Sequence, residues 1–226
     1  MEAVLPDQRQ SRSILIYRWI VFLLAAGYTI RMLIFGNYGE TGGPFRFLTI
    51  WALLASFFAA SRMIALMEGR SLRRWEAFTA VTAVVNAMVV ALYWRLYFAD
   101  PTSVTRDGEL GAFYLEMYLH ALGPALQWID VTFIHRGFRA LRASAVLLLG
   151  FIGLYVVWIE VVLQTLGSVP SGSVTSGLPY RFLNDLDLAG RASFYLGCVV
   201  SAIVFLLLFT AIAAGVRRLL PAPKAP

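Results

Sequence analysis

Apolar residues come in six long runs, separated by short clusters of Gly, Pro, Arg and acidic residues. A membrane-crossing helix needs about 20 mostly apolar residues, and each run meets that length. The runs predict helices over Ile14–Phe35, Phe45–Met67, Trp75–Phe98, Gly111–Ile134, Ser144–Leu166 and Ala189–Val216. The breakers between them are Gly36 to Pro44, Gly69 to Arg70, Asp100 to Gly108, Gly137, and the Gly/Ser/Pro run from Gly167 to Pro179. The prediction is an all-α polytopic membrane protein, a six-transmembrane-helix bundle over 14–216. Short tails, 1–13 and 217–226, flank it.

Composition agrees. The chain has 226 residues, 59% apolar and only 14% charged, with a mean hydropathy of +0.71. Soluble domains carry about a quarter charged residues. The first run lacks a convincing small-residue cleavage site, so it reads as a retained helix and not as a signal peptide.

Charge then orients the bundle. Lys224 is the only lysine, so the net charge of +6 is an arginine excess. Arg70, Arg73 and Arg74 fill the second connection, Arg136, Arg139 and Arg142 the fourth, and Arg217 and Arg218 the end. The third connection is acidic, with Asp100, Asp107 and Glu109. By the positive-inside rule both termini are expected in the cytoplasm, which an even helix count also requires. Arginines at helix ends and in short loops are explained by topology, so no nucleic-acid partner is expected.

Polar residues within the runs mark candidate chemistry, because an ionisable group at membrane depth is costly unless it is paired or used. The fourth run holds Glu116 and His120, four apart and so on one helical face. Gln127 and Asp130 are expected to extend that stripe, with Pro124 between them freeing a carbonyl on the preceding turn. Packing polar residues between helices would explain each one singly; the four together favour a lined cavity. The third run places Thr79, Thr82, Asn86 and Tyr93 on one face, where back-bonded hydroxyls are the plainer explanation. In the fifth run Glu160 is expected to face the cavity, with Arg31, Arg46, Arg95 or Arg191 as its partner. Thr49 enters its helix from the same side as His120, about 6 Å deep against about 13 Å. A hydroxyl beside an imidazole is a plausible activated nucleophile, although a threonine at a helix start more often caps or packs.

Several chemistries drop out. A retinal Schiff base or a Ser–Lys dyad needs a lysine inside the bundle, and there is none. His120 and His135 lie about 22 Å apart on one helix, too far to clamp a haem. With Cys198 alone, neither a disulfide nor a Cys/His zinc site can form within the chain. No G-x-S-x-G elbow is present. No cofactor and no metal are expected; a carboxylate-plus-His metal site at Glu116 and His120 stays open.

Four stretches together resemble a known family. The segment Tyr38 to Phe58, with Phe45-Arg46-Phe47-Leu48-Thr49-Ile50 inside it, is similar to the start of the second helix in the androgen-induced-gene, FAR-17a and androgen-dependent TFPI-regulating protein family. Leu92 to Asp100 resembles that family's third-helix end, and His120 with Asp130 ten residues later its fourth helix. Gly177 to Asn184, including Tyr180, Phe182 and Leu183, resembles the segment before its last helix. Arg181 stands where the family has a proline, and Glu160 where some members carry histidine. The resemblance implies a membrane hydrolase of fatty acid esters of hydroxy fatty acids. It places the threonine nucleophile on Thr49 and the histidine on His120. Glu116 or Asp130 would then orient the imidazole, and Asn86, Tyr93 or a backbone N–H would donate to the oxyanion. Glu160 would line the cavity, and Arg46 and Gln127 would hold a lipid substrate with one or two acyl chains. Two other readings remain: a non-enzymatic lipid- or sterol-binding regulator, and a small proton-coupled carrier relaying through Glu116, His120 and Glu160.

Overall fold

In the computed structural model, which describes residues 11–105, 108–167 and 177–220, every regular element is helical. Most of the two predicted tails, and the middle of the fifth connection, lie outside the described residues. Five helices are continuous and apolar enough to cross a membrane. They are α1 (Arg12–Phe35), α2 (Leu48–Met67), α3 (Glu76–Ala99), α5 (Leu141–Leu166) and α6 (Leu188–Leu219). The sixth expected span, α4 (113–134), is one unbroken rod of alternating character. It runs as α over Phe113–Met117, π over Tyr118–Leu122, α over Gly123–Ile129 and π over Asp130–Ile134, with helical dihedrals at each junction. The chain is therefore an integral, multi-pass, all-α membrane protein.

The rods alternate in direction, which gives the bundle two distinct ends. At one end the start of α1 meets the ends of α2 and α4, through Arg18 to the Met63 carbonyl and to Asp130. Arg217 at the end of α6 donates to the carbonyls of Arg136 and Gly137, and Arg74 before α3 donates to that of His135. Both described termini and the arginine-rich connections share this end. The opposite end carries the chemistry described below.

The core is small-residue packing along α3, where Ala80, Ala83 and Val84 are fully covered. Such residues let α2, α5 and α6 approach closely without lipid between them. Outward faces keep exposed Ile, Leu, Val and Phe, among them Ile34, Leu154, Val161 and Leu196.

One boundary differs from the sequence expectation in a way that matters. The second helix starts at Leu48, not at Phe45: Gly43–Arg46 is a 3-10 turn and Phe47 is the extended N-cap. Gly42 and Gly43 take positive φ (80° and 50°), and a Cβ on Gly42 would collide with Leu163. Glycine alone allows this turn to lie flat on α5. Thr49 consequently sits in the first turn of α2, not a turn further in.

Candidate active site

The turn before α2 is fastened by aromatic donors. Trp51 Nε1 and Trp158 Nε1 both donate to the Phe45 carbonyl, at 2.8 and 3.1 Å. The Tyr155 hydroxyl donates to the Arg46 carbonyl at 2.8 Å. Arg46 is itself buried, donating to the Gly177 carbonyl at 2.9 Å and lying 3.6 Å from Glu40. Each carbonyl would otherwise be an unpaired acceptor at membrane depth, so these bonds hold the approach to Thr49 in one geometry.

Across from it, α4 presents His120 from the first of its π turns. Pro124 has no N–H, so the His120 carbonyl has no donor four residues on. Trp94 Nε1 of α3 fills that vacancy at 2.8 Å. The imidazole is buried, 6% exposed, and lies flat on the Tyr93 ring, with centroids 3.5 Å apart at 5°. Backbone and ring are thus fixed independently by two neighbouring residues of α3.

These constraints bring Thr49 Oγ1 to 3.4 Å from His120 Nε2. On the other side of the ring, Glu116 Oε2 lies 3.0 Å from Nδ1. At that distance the contact is an ion-pair contact and lacks the alignment of a ring N–H hydrogen bond. The Tyr93 hydroxyl donates to the same oxygen at 2.8 Å. The result is a hydroxyl, an imidazole, a carboxylate and a phenol in series.

The series forms part of the wall of a cavity of about 710 Å³, within the usual range for a small-molecule site. Its lining is mainly apolar. Arg31, Glu40, Arg46 and Arg181 stand towards the mouth, with the loop Thr102 to Thr105. Outside the spans, Thr102 and Ser103 hydrogen-bond the Asp100 carboxylate and hold it below the usual carboxylate range, fixing this loop as a 3-10 turn. The Tyr155 and Tyr180 hydroxyls meet beside the Leu48 N–H, next to Thr49.

Of the residues expected from sequence, Thr49, His120, Glu116, Tyr93 and Arg46 converge here. Others do not join. Asp130 cannot orient His120, because both its oxygens are taken by Arg18, at 3.0 and 2.9 Å. Gln127 donates to the Ser56 carbonyl and lies off the large cavity. Asn86 spends its amide on Ser56 Oγ and the Thr82 carbonyl, so it has no proton left for an oxyanion. Glu160 is absent from the lining and pairs with Arg191 at 2.9 Å and Tyr195 at 2.6 Å. The expected stripe on α4 breaks up because a π turn takes in an extra residue. Each such turn rotates everything beyond it by about 100° relative to an α-helix. Thr79 and Thr82 bond back to their own helix, as the plainer reading of them had it.

Trp51, Trp94, Tyr155 and Trp158 are the site's unforeseen members. Only Trp94 had a sequence signal: a proline four residues after His120 announces a carbonyl in need of a donor. Among the described residues, no group of three His, Cys, Asp or Glu could hold a metal ion.

A family model described as FAR-17a/AIG1-like protein matches residues 13–214. No curated protein and no solved structure matches the chain.

Proposed function

Since the chain belongs to the FAR-17a/AIG1-like family, we propose that it is an integral-membrane lipid-ester hydrolase with Thr49 as nucleophile and His120 as base. Its proposed substrates are fatty acid esters of hydroxy fatty acids. The observation that carries the proposal is the 3.4 Å approach of Thr49 Oγ1 to His120 Nε2 in the wall of a mainly apolar cavity.

Thr49 Oγ1 attacks the ester carbonyl while His120 Nε2 takes its proton. Glu116 faces the far nitrogen and stabilises the imidazolium that forms, as the acid of a triad does. The tetrahedral oxyanion develops at the N-terminal end of α2, where the helix dipole is positive; the Ile50 N–H there is already spent on the Phe47 carbonyl and the Leu48 N–H faces the Tyr155 and Tyr180 hydroxyls. Collapse breaks the bond to the leaving oxygen, which takes the proton back from His120. This frees the hydroxy acid and leaves an acyl-threonine. Water then enters, gives a proton to His120 and adds to the acyl carbon; the bond from that carbon to Thr49 Oγ1 breaks, His120 returns the proton to Oγ1, and the fatty acid leaves.

Fluorophosphonate labelling in detergent tests the assignment. Wild type is expected to label, and Thr49→Ala and His120→Ala to lose labelling while eluting as folded protein. An inert wild type that still binds fatty acid would sink the hydrolase in favour of a lipid-binding regulator. The carrier reading loses its relay, because Glu160 is held by Arg191 and Tyr195 away from the His120 series. On the positive-inside argument, the site opens on the face opposite the cytoplasmic arginines.

A further inference from the structure

The cavity continues well below Thr49. Its deepest lining residues are Val85 on α3 and Leu148 on α5, both almost wholly covered, at 2% and 0% exposure. Met88, Val89, Phe151 and Ile152 form the walls above them. No charged residue lines this lower part; the polar atoms are confined to the level of Thr49 and His120 and to the mouth.

Three helices give the same depth. On α3, Val85 lies about 12 Å along the axis from Tyr93, which stacks on His120, at about 1.5 Å per residue. On α5, Leu148 lies about 10 Å from Tyr155, whose hydroxyl reaches the Arg46 carbonyl just ahead of Thr49. On α2, Ser56 lies about 10 Å from Thr49 and bonds Asn86, the neighbour of Val85. Below this level the bundle is closed by Ala80, Ala83 and Val84, which pack in one cluster with Val85 and Leu148.

We propose that this blind apolar shaft holds the acyl chain of the substrate, and that Val85 and Leu148 are its floor and set the chain length. The inference rests on the hydrolase reading for its catalytic consequence. An extended chain of carbons about 1.5 Å apart at about 111° advances about 1.25 Å per bond. The shaft therefore takes an acyl group of about eight to ten carbons with its carbonyl at Thr49. Its walls exclude water from a chain of that length, and a longer chain has no straight path. The alcohol part of the ester lies on the other side of Thr49, towards the mouth, where bulk and charge are tolerated.

The test uses the full-length protein in detergent and p-nitrophenyl esters from acetate to palmitate. Wild type should peak at octanoate to decanoate, with kcat/KM for palmitate lower by about tenfold or more, as pocket misfits of a methylene or more allow. Leu148→Ala should move the optimum up by about two carbons, and Val85→Leu should move it down by about one, at about 1.25 Å each. An optimum at palmitate, or one that neither substitution moves, overturns the proposal. Because Leu148→Ala opens a core position, the wild-type profile and Val85→Leu are read independently of it. The second measurement is the affinity for saturated fatty acids of six to eighteen carbons, read by titration calorimetry in detergent. Affinity should climb to about ten carbons and stop climbing there, with the break point shifted in the variants. A flat or steadily rising dependence, or no binding of any of these fatty acids, overturns the shaft. Binding with the expected break but no hydrolysis of any ester would overturn the hydrolase and leave the shaft standing.

Discussion

Glu116 Oε2 is shared by two groups, the His120 ring and the Tyr93 hydroxyl. The two contacts are separable by substitution. Glu116→Gln keeps the shape and removes the charge that stabilises an imidazolium. It should lower kcat by about a hundredfold or more with little change in KM, as loss of a triad acid does. Tyr93→Phe keeps the ring stacked on His120 and removes one hydrogen bond, worth about 0.5–1.5 kcal/mol, so kcat should fall by about two- to tenfold. Steady-state kinetics on one short-chain ester distinguishes them; equal losses in both variants would mean that the phenol, not the carboxylate charge, positions the ring. Glu116, His120 and Tyr93 were all legible in the sequence, because an ionisable pair at helical spacing in an apolar run needs a reason. Asp130 carried the same signal and has a different reason. Sequence reveals the cost of a buried charge but not the direction of its partner: Arg18, 112 positions away, gave no sign of it.

At the scale of one helix, α4 is the element whose irregularity builds the site. Its π turn at Tyr118–Leu122, followed by Pro124, sets His120 at an angle that an α-helix would not give, and Trp94 accepts the consequence by bonding the freed carbonyl. Pro124→Ala restores the N–H and competes with Trp94 for that carbonyl. The variant should fold as well as wild type, since a helix-interior proline is intrinsically unfavourable by about 3 kcal/mol. It should nevertheless lose most labelling by fluorophosphonate, because His120 rotates away from Thr49. Trp94→Phe should do the reverse damage, leaving a buried carbonyl unpaired at a cost of about 1–3 kcal/mol. A thermal melt in detergent, paired with the labelling rate, separates the two effects. Unchanged labelling in Pro124→Ala would show that the π turn does not depend on the proline. The six spans themselves were legible because length and hydropathy are local properties. The π turns were not: they leave the apolar run intact, change its phase by one residue, and so scatter Gln127 and Asp130 off the face that Glu116 and His120 share. The start of α2 was misjudged for a related reason, since Phe45 and Arg46 continue the apolar run although Gly42 and Gly43 turn the chain there.

The described ion pairs of the whole molecule lie towards its two ends, and the proposed chemistry sits at one of them. The end opposite the site holds the Arg18–Asp130 pair, with each side chain 5% exposed and Arg18 also donating to the Met63 carbonyl. This pair ties the start of α1 to α2 and α4 and lies far from Thr49, since Asp130 is about 15 Å along α4 from His120. Removing one partner leaves an uncompensated charge in the bundle, which in buried pairs costs about 3–5 kcal/mol. Asp130→Leu should therefore lower the melting temperature and the yield of folded protein sharply, while the molecules that do fold keep wild-type labelling by fluorophosphonate. Replacing both partners, Arg18→Met with Asp130→Leu, should recover most of the lost stability, because an apolar pair has no desolvation penalty to offset. Thermal melts of the single and double variants, each normalised to the labelled fraction, carry the comparison. If Asp130→Leu instead abolished labelling in protein that melts as wild type does, the acid would belong to the catalytic series and the division of the bundle into two ends would be wrong.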